Sequence, residues 1–102
     1  MMWNLARNDR TNHQRIADVG GIPLLVTLVG NGTPGAKEEA AGALGNLAVL
    51  DANRQRIADA GGIAHLVALV GDGTPGAQEQ AAGALWILAC NNPPNQQRIT
   101  DA

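Results

Sequence analysis

The chain contains two nearly identical segments that lie 41 residues apart. Segment 20–48, GGIPLLVTLVGNGTPGAKEEAAGALGNLA, aligns without a gap with segment 61–89, GGIAHLVALVGDGTPGAQEQAAGALWILA, and 21 of the 29 positions are identical. The tripeptide Gln-Arg-Ile occurs three times, starting at Gln14, Gln55 and Gln97, in steps of 41 and 42 residues. A period of this length is typical of a solenoid, in which each unit covers its apolar face by stacking on its neighbours.

Three helices fit within each period, because a glycine pair and the sequence Gly-Thr-Pro-Gly interrupt it. Thr33 and Thr74 are suited to cap the third helix, with proline at its first position. Asp51 or Asn53 is placed to cap the first helix in the same way. The sequence therefore predicts an all-α solenoid with three helices per repeat. The predicted helices are 12–19, 22–29 and 34–50 in one copy and 53–60, 63–70 and 75–90 in the next.

The third helix has one constant side and one variable side when its residues are placed at 100° intervals. The constant side is apolar and is predicted to be core; it consists of Ala40, Ala41, Leu44, Leu47 and Ala48. The variable side is predicted to face outward, and such a surface is either a recognition surface or the product of drift. It consists of Glu38, Glu39, Gly42, Gly45, Asn46 and Val49, matched by Glu79, Gln80, Gly83, Trp86, Ile87 and Cys90.

The second helix shows the same division. Its apolar positions, Ile22, Leu25, Val26, Leu28 and Val29, keep their residue types in the second copy. A strip that changes is predicted to be exposed; Pro23, Leu24 and Thr27 become Ala64, His65 and Ala68.

Composition argues against several classes of protein. A length of 102 residues allows one domain, and a net charge of −2 does not supply the basic surface that phosphate contacts require, so no nucleic-acid partner is expected. No stretch is long and apolar enough for a signal peptide or a membrane span, and no membrane partner is expected. Cys90 is the single cysteine, which favours a reducing compartment and a cytoplasmic or nuclear location.

Catalytic and metal-binding patterns are missing from the sequence. The chain contains no serine, and His13 and His65 have no cysteine or carboxylate partners at metal-ligand spacing. The glycines of GNGTPG resemble a phosphate-binding loop only superficially, because the Gly-Lys-Ser/Thr ending is missing. We therefore expect no enzymatic activity, no cofactor and no metal.

Residues 53–70, NRQRIADAGGIAHLVALV, and 35–49, GAKEEAAGALGNLAV, resemble the armadillo repeat family. The resemblance extends over essentially the whole chain. It is closer to beta-catenin-like members than to importins, where a tryptophan usually replaces the glycine equivalent to Gly42. It implies a single right-handed α-solenoid fragment. In that fragment, 1–8 are the end of a third helix, 9–50 and 51–91 are repeats, and 92–102 are the first helix of a following repeat.

The resemblance also implies a function. In the family, third helices line a concave groove that binds extended segments of partner proteins, and an asparagine near the end of each helix holds the partner's backbone. That asparagine corresponds to Asn46 and Asn4, whereas Ile87 departs from the pattern. The implied groove residues are Trp3, Asn4, Glu39, Gly42, Asn46, Gln80, Gly83, Trp86 and Ile87.

An asparagine suits this role because its amide can bind a peptide N–H and C=O together. Helices pack about 8–10 Å apart and an extended chain advances about 3.3 Å per residue, so successive helices would meet a ligand every two or three residues. The acidic residues Glu38, Glu39 and Glu79 favour basic ligands, or they offset helix dipoles. Trp86 is either a wall for a ligand side chain or a cover for the joint with a following repeat. Asn46 has either this function or an incidental place in the helix.

A second interpretation is that the chain is a structural unit that assembles with copies of itself. Solenoids generally need about three units and polar caps, whereas this chain carries two complete units and two fragments. Its uncapped ends would then be buried in a homo-oligomer, expected to be a dimer.

Overall fold

The structure, a computed structural model, describes residues 10–90 and 92–102, with side chains from residue 14 onward. The described residues form seven helices joined by short turns. They are α1 (Arg10–Asp18), α2 (Gly21–Asn31), α3 (Pro34–Leu47), α4 (Asp51–Asp59), α5 (Gly62–Asp72), α6 (Pro75–Ala89) and α7 (Pro93–Asp101). The predictions for Trp3 and Asn4 lie outside the described residues.

The helices stack as two repeats followed by the start of a third. The first repeat comprises α1 to α3, the second comprises α4 to α6, and α7 packs on α5 and α6. The third helices, α3 and α6, share the largest contact, and the second helices, α2 and α5, form a parallel row beside them. This arrangement confirms the predicted all-α solenoid with three helices per repeat. No helix in the described part of the chain is long and apolar enough to cross a membrane.

The turns between helices follow the predicted signals. The Thr33 side chain accepts a hydrogen bond from the Ala36 amide at 3.2 Å, and Thr74 repeats this cap at Ala77. Gly61 adopts the left-handed conformation, with φ at 86°, as its repeat-mate does in the first repeat. Such values suit glycine because it lacks a Cβ.

The predicted cap of the first helix is wrong. Neither Asp51 nor Asn53 caps α4, whose N-cap residue Leu50 makes no side-chain hydrogen bond to the helix. The buried Asn53 amide instead donates to the backbone carbonyl of Leu47, at 3.0 Å. Asn95 does the same for Leu88 at 2.9 Å. This hydrogen bond is buried, so water cannot take the place of either partner. The bond to the Leu47 carbonyl therefore prevails over a cap of α4.

Arg54 also binds backbone carbonyls at the carboxyl ends of the third helices, which closes these ends further. Its Nε donates to the Ala48 carbonyl at 2.7 Å and its Nη1 to the Cys90 carbonyl at 3.1 Å, so one guanidinium joins the carboxyl ends of α3 and α6. At the matching position in α7, Gln96 donates to the Ala89 carbonyl at 3.0 Å. A positive charge also suits helix carboxyl ends, where the dipole is negative.

The repeated Gln-Arg-Ile tripeptide forms a polar ladder along the first helices. The Gln55 amide donates to Asp59 at 2.9 Å, and Gln14 and Gln97 make the same bond to aspartates four residues on. Arg56 pairs with Asp18 of the preceding repeat at 3.3 Å, and Arg98 with Asp59 at 3.6 Å. These pairs are exposed, so each contributes little stability.

The predicted core is confirmed in the first repeat. All five constant positions of the third helix are buried, including Ala48 at the C-cap of α3, and Leu44 has no exposed surface. The changing strip of α2 and α5 is exposed as predicted. Among the unchanged apolar positions of α2, Leu28 differs from the others, because 43% of it is exposed while its repeat-mate Leu69 is buried beside the preceding repeat.

Replacing Arg54 should show how much the closure of the third helices contributes to stability. We expect Arg54→Ala to lower the free energy of unfolding by about 2–3 kcal/mol, because charge-assisted hydrogen bonds to two carbonyls are lost. Arg54→Gln, which copies Gln96, should restore part of that loss. Urea denaturation followed by circular dichroism measures both, and equal stabilities for the wild type and Arg54→Ala would contradict this role.

Candidate functional site

A groove lies between the two third helices and brings together five of the predicted site residues. We call it the third-helix groove, and its open space is about 160 Å³. It is lined by Gly42, Gly45 and Asn46 of α3 and by Gln80, Gly83, Ala84 and Ile87 of α6. Gly45 and Ala84 were not predicted to belong to the groove, although Gly45 directly precedes Asn46 and Ala84 lies one helical turn before Ile87.

The prediction that Gly42 and Gly45 face outward is wrong. Both are buried. A Cβ at Gly45 would lie 3.5 Å from the Cα and Cβ of Ala84, so α6 covers this position. Gly42 has no side chain, and its backbone forms part of the floor of the groove. The periodicity of an isolated helix does not include the neighbouring helix that covers it.

Asn46 and Ile87 occupy matching positions on the two sides of the groove. Both are half-buried. Among the described residues, the Asn46 side chain makes no hydrogen bond, so its amide is available to a ligand. Ile87 presents an apolar surface at the place where the first repeat presents this amide. The two walls therefore differ in chemistry.

Acidic side chains lie near the groove but outside it. Glu38, Glu39 and Glu79 are exposed in the first half of the third helices. The Glu38 carboxylate lies against Gly76, at the joint between the two repeats. The lining residues themselves are uncharged, so the negative charges lie on the flank of the groove.

Trp86 lies apart from the third-helix groove. Its repeat-mate Gly45 faces the following repeat, so Trp86 stands on the side of α6 that faces away from α3. Its side chain is prominent, with 72% of the residue exposed. The structure thus does not bring Trp86 together with Asn46, and Glu39 also lies outside the lining.

A larger recess of about 530 Å³ lies between the carboxyl ends of α1 and α4. Its charged lining residues, Asp18, Arg56 and Asp59, are engaged in the ion pairs of the first-helix ladder. The third-helix groove is the better candidate because neither of its polar side chains, Asn46 and Gln80, forms a hydrogen bond with the residues that the structure describes. No cluster of three His, Cys, Asp or Glu side chains that could hold a metal ion occurs in the described ranges.

Comparison with protein families identifies the repeats. The model of the armadillo/beta-catenin-like repeat matches residues 11–49 and 51–90. A comparison with curated proteins found no match.

Several solved structures share the fold. A designed armadillo repeat protein in complex with the peptide (KR)4 is 24% identical with a TM-score of 0.90, and an engineered protein is 29% identical with a TM-score of 0.91. A second designed armadillo repeat protein is 23% identical with a TM-score of 0.90. Each alignment covers 98% of this chain and 42% of the other, so the chain spans about two fifths of the length of these structures.

Glycine in the groove should lower stability. A Cβ at Gly83 would meet no atom within 4 Å, so we expect Gly83→Ala to raise the free energy of unfolding by about 1 kcal/mol through helix propensity. Gly61→Ala, also free of contacts but at positive φ, should lower it by about 1–2 kcal/mol. Thermal denaturation of both variants checks the pair, and a shift of the same sign in both would contradict this explanation.

Proposed function

Because the chain belongs to the armadillo/beta-catenin-like repeat family, we propose that it is a non-enzymatic scaffold that binds extended segments of other proteins in its third-helix groove. The observation that carries this proposal is the half-buried Asn46 amide beside an open groove, which has no hydrogen-bond partner in the described part of the chain. An amide in this position can donate to a peptide carbonyl and accept from a peptide N–H. It would hold the backbone of the ligand whatever its sequence.

The charges around the groove favour ligands with basic residues. Glu38, Glu39 and Glu79 are exposed beside it, and the chain carries a net charge of −2. A solved structure of the same fold holds the basic peptide (KR)4, which supports a peptide ligand of this kind. The attraction should be weak and sensitive to salt, because exposed charges are screened.

Replacing Asn46 tests the backbone contact. Asn46→Ala should weaken binding of a (KR)4 peptide about five- to thirtyfold, which corresponds to the loss of about 1–2 kcal/mol from two hydrogen bonds. Amide chemical shifts recorded during titration of the peptide give the affinity. Asn31→Ala, the same substitution at an exposed residue outside the groove, is the control. The proposal fails when Asn46→Ala and the wild type bind equally well.

Self-assembly is a second candidate, and the unequal burial of the two repeats favours it. Ala41 and Leu44 are fully buried, whereas their repeat-mates Ala82 and Leu85 are exposed and half-buried. The affected residues form what we call the end face: Val67, Val70, Ala82, Leu85, Trp86 and Ala89. All are apolar, and in the first repeat the second repeat covers their counterparts.

We propose that the end faces of two copies would pair with each other. The first-helix position beyond α6 is already filled by α7, the counterpart of α1. In a head-to-tail contact, the first helix of the other copy would have to occupy the position that α7 already fills. In a two-fold contact between end faces, no helix of the other copy has to occupy it. A two-fold contact closes after two copies, which agrees with the expected dimer.

Measurement of molar mass tests this second candidate. The molar mass of the wild type should rise with concentration from 10.5 kDa towards twice that value. Ala82→Glu should remain a monomer, because it would bury two unpaired carboxylates at the contact. Asn46→Ala should dimerise as the wild type does. A wild type that stays monomeric at millimolar concentration excludes the dimer and leaves peptide binding untouched.

A further inference from the structure

The floor of the third-helix groove is almost free of side chains. Gly42, Gly45 and Gly83 contribute none, and Ala84 contributes a single methyl group. Gly83 is exposed, and a Cβ built there would meet no atom within 4 Å. The space above the floor is therefore open to a side chain from outside.

The two walls of this space differ, and the difference orients a ligand. Asn46 on α3 offers hydrogen bonds to a backbone, whereas Ile87 at the matching position of α6 offers none, and the amide of that wall, Gln80, lies earlier in α6. An extended chain that places its backbone against Asn46 would direct a neighbouring side chain towards Ile87 and the glycine floor. That side chain gains most when it is apolar, since contact with Ile87 removes apolar surface from water.

The size of the groove suits a side chain of medium size. Its open space of about 160 Å³ is close to that of a cavity of about 150 Å³ known to admit benzene. A leucine, isoleucine or phenylalanine side chain therefore fits.

Charge places basic residues of the ligand on either side of this position, outside the groove. None of the lining residues is charged, so a lysine ammonium in the groove would lose water and gain at most the neutral amide oxygens of Asn46 and Gln80 as partners. The exposed carboxylates of Glu39 and Glu79 lie on the flank, where a lysine keeps its hydration.

We propose that the third-helix groove selects one aliphatic or phenyl side chain, flanked by basic residues, from an extended peptide. This inference rests on the proposed function and adds the class of ligand. Ile87 is the residue that determines the specificity, because its apolar side chain replaces the amide found at the matching position of α3.

Two pentapeptides that differ at one position test the inference. They are the acetylated and amidated sequences Lys-Ala-Leu-Ala-Lys and Lys-Ala-Asn-Ala-Lys, whose central side chains are similar in size. Titration followed by amide chemical shifts should show about tenfold tighter binding of the leucine peptide to the wild type. The largest shifts should fall on Gly83 and Ile87.

Two variants locate the preference in the groove. Ile87→Asn should reduce the ratio of the two affinities to about one. Gly83→Leu places a side chain on the floor of the groove and should weaken binding of the leucine peptide at least tenfold. It should not unfold α6, because leucine forms helices better than glycine. Gly71→Leu is the matched control, since Gly71 is also helical, exposed and free of contacts within 4 Å.

The outcomes separate this inference from the proposed function. A leucine preference that disappears in Ile87→Asn and Gly83→Leu but persists in Gly71→Leu supports both. When both peptides bind equally, and Asn46→Ala weakens both, the apolar preference is wrong and the peptide scaffold stands. When neither peptide binds, and Asn46→Ala does not alter (KR)4 binding either, both proposals are wrong.

Discussion

The contact between α3 and α6 determines the positions of most other features. It is formed at Gly45 and Ala84, where a Cβ added to the glycine would reach ordinary van der Waals distance, 3.5 Å, from the alanine. The distance between packed helices depends on the side chains at their contact, so small residues bring the third helices close together. The row of second helices and the groove above the contact both follow from this approach. Asn46 and Ile87 lie at matching positions on the two sides of the groove because their helices are held in register there.

The sequence was sufficient to predict the repeat, the number of helices per repeat and the core of α3, because these depend on local signals and on a period repeated nearly unchanged. It also predicted that Asn46, Gly83 and Ile87 share one side of the third helix. The burial of Gly45 was not predicted, since the periodicity of one helix contains no information about the helix beside it. The same reason applies to Asn53. Its partner is the Leu47 carbonyl at the carboxyl end of α3, and the pattern of α4 alone contains no information about that carbonyl.

Near-identical sequences in the two repeats have unequal surroundings. Leu44 is fully buried and Leu85 is half-buried, although both belong to the same repeated pattern. The difference arises from what lies beside each helix, because α6 covers α3 and nothing in the described part of the chain covers α6 in the same way. The exchange of glycine for Trp86 falls on this uncovered side. The groove and the end face therefore use opposite sides of α6, and a ligand in one leaves the other accessible.

The hydrogen bonds at the carboxyl ends of the third helices give the stack a direction. Asn53 and Arg54 finish the last turn of α3, and Asn95 and Gln96 finish the last turn of α6, so each unit is completed by the one that follows it. A tension applied at the carboxyl terminus would detach α7 first and leave the carbonyls of Leu88 and Ala89 without partners. The fraying of α6 would come next, before any loss in α3. Under such a tension the helices would thus separate in order, from the carboxyl terminus towards the amino terminus.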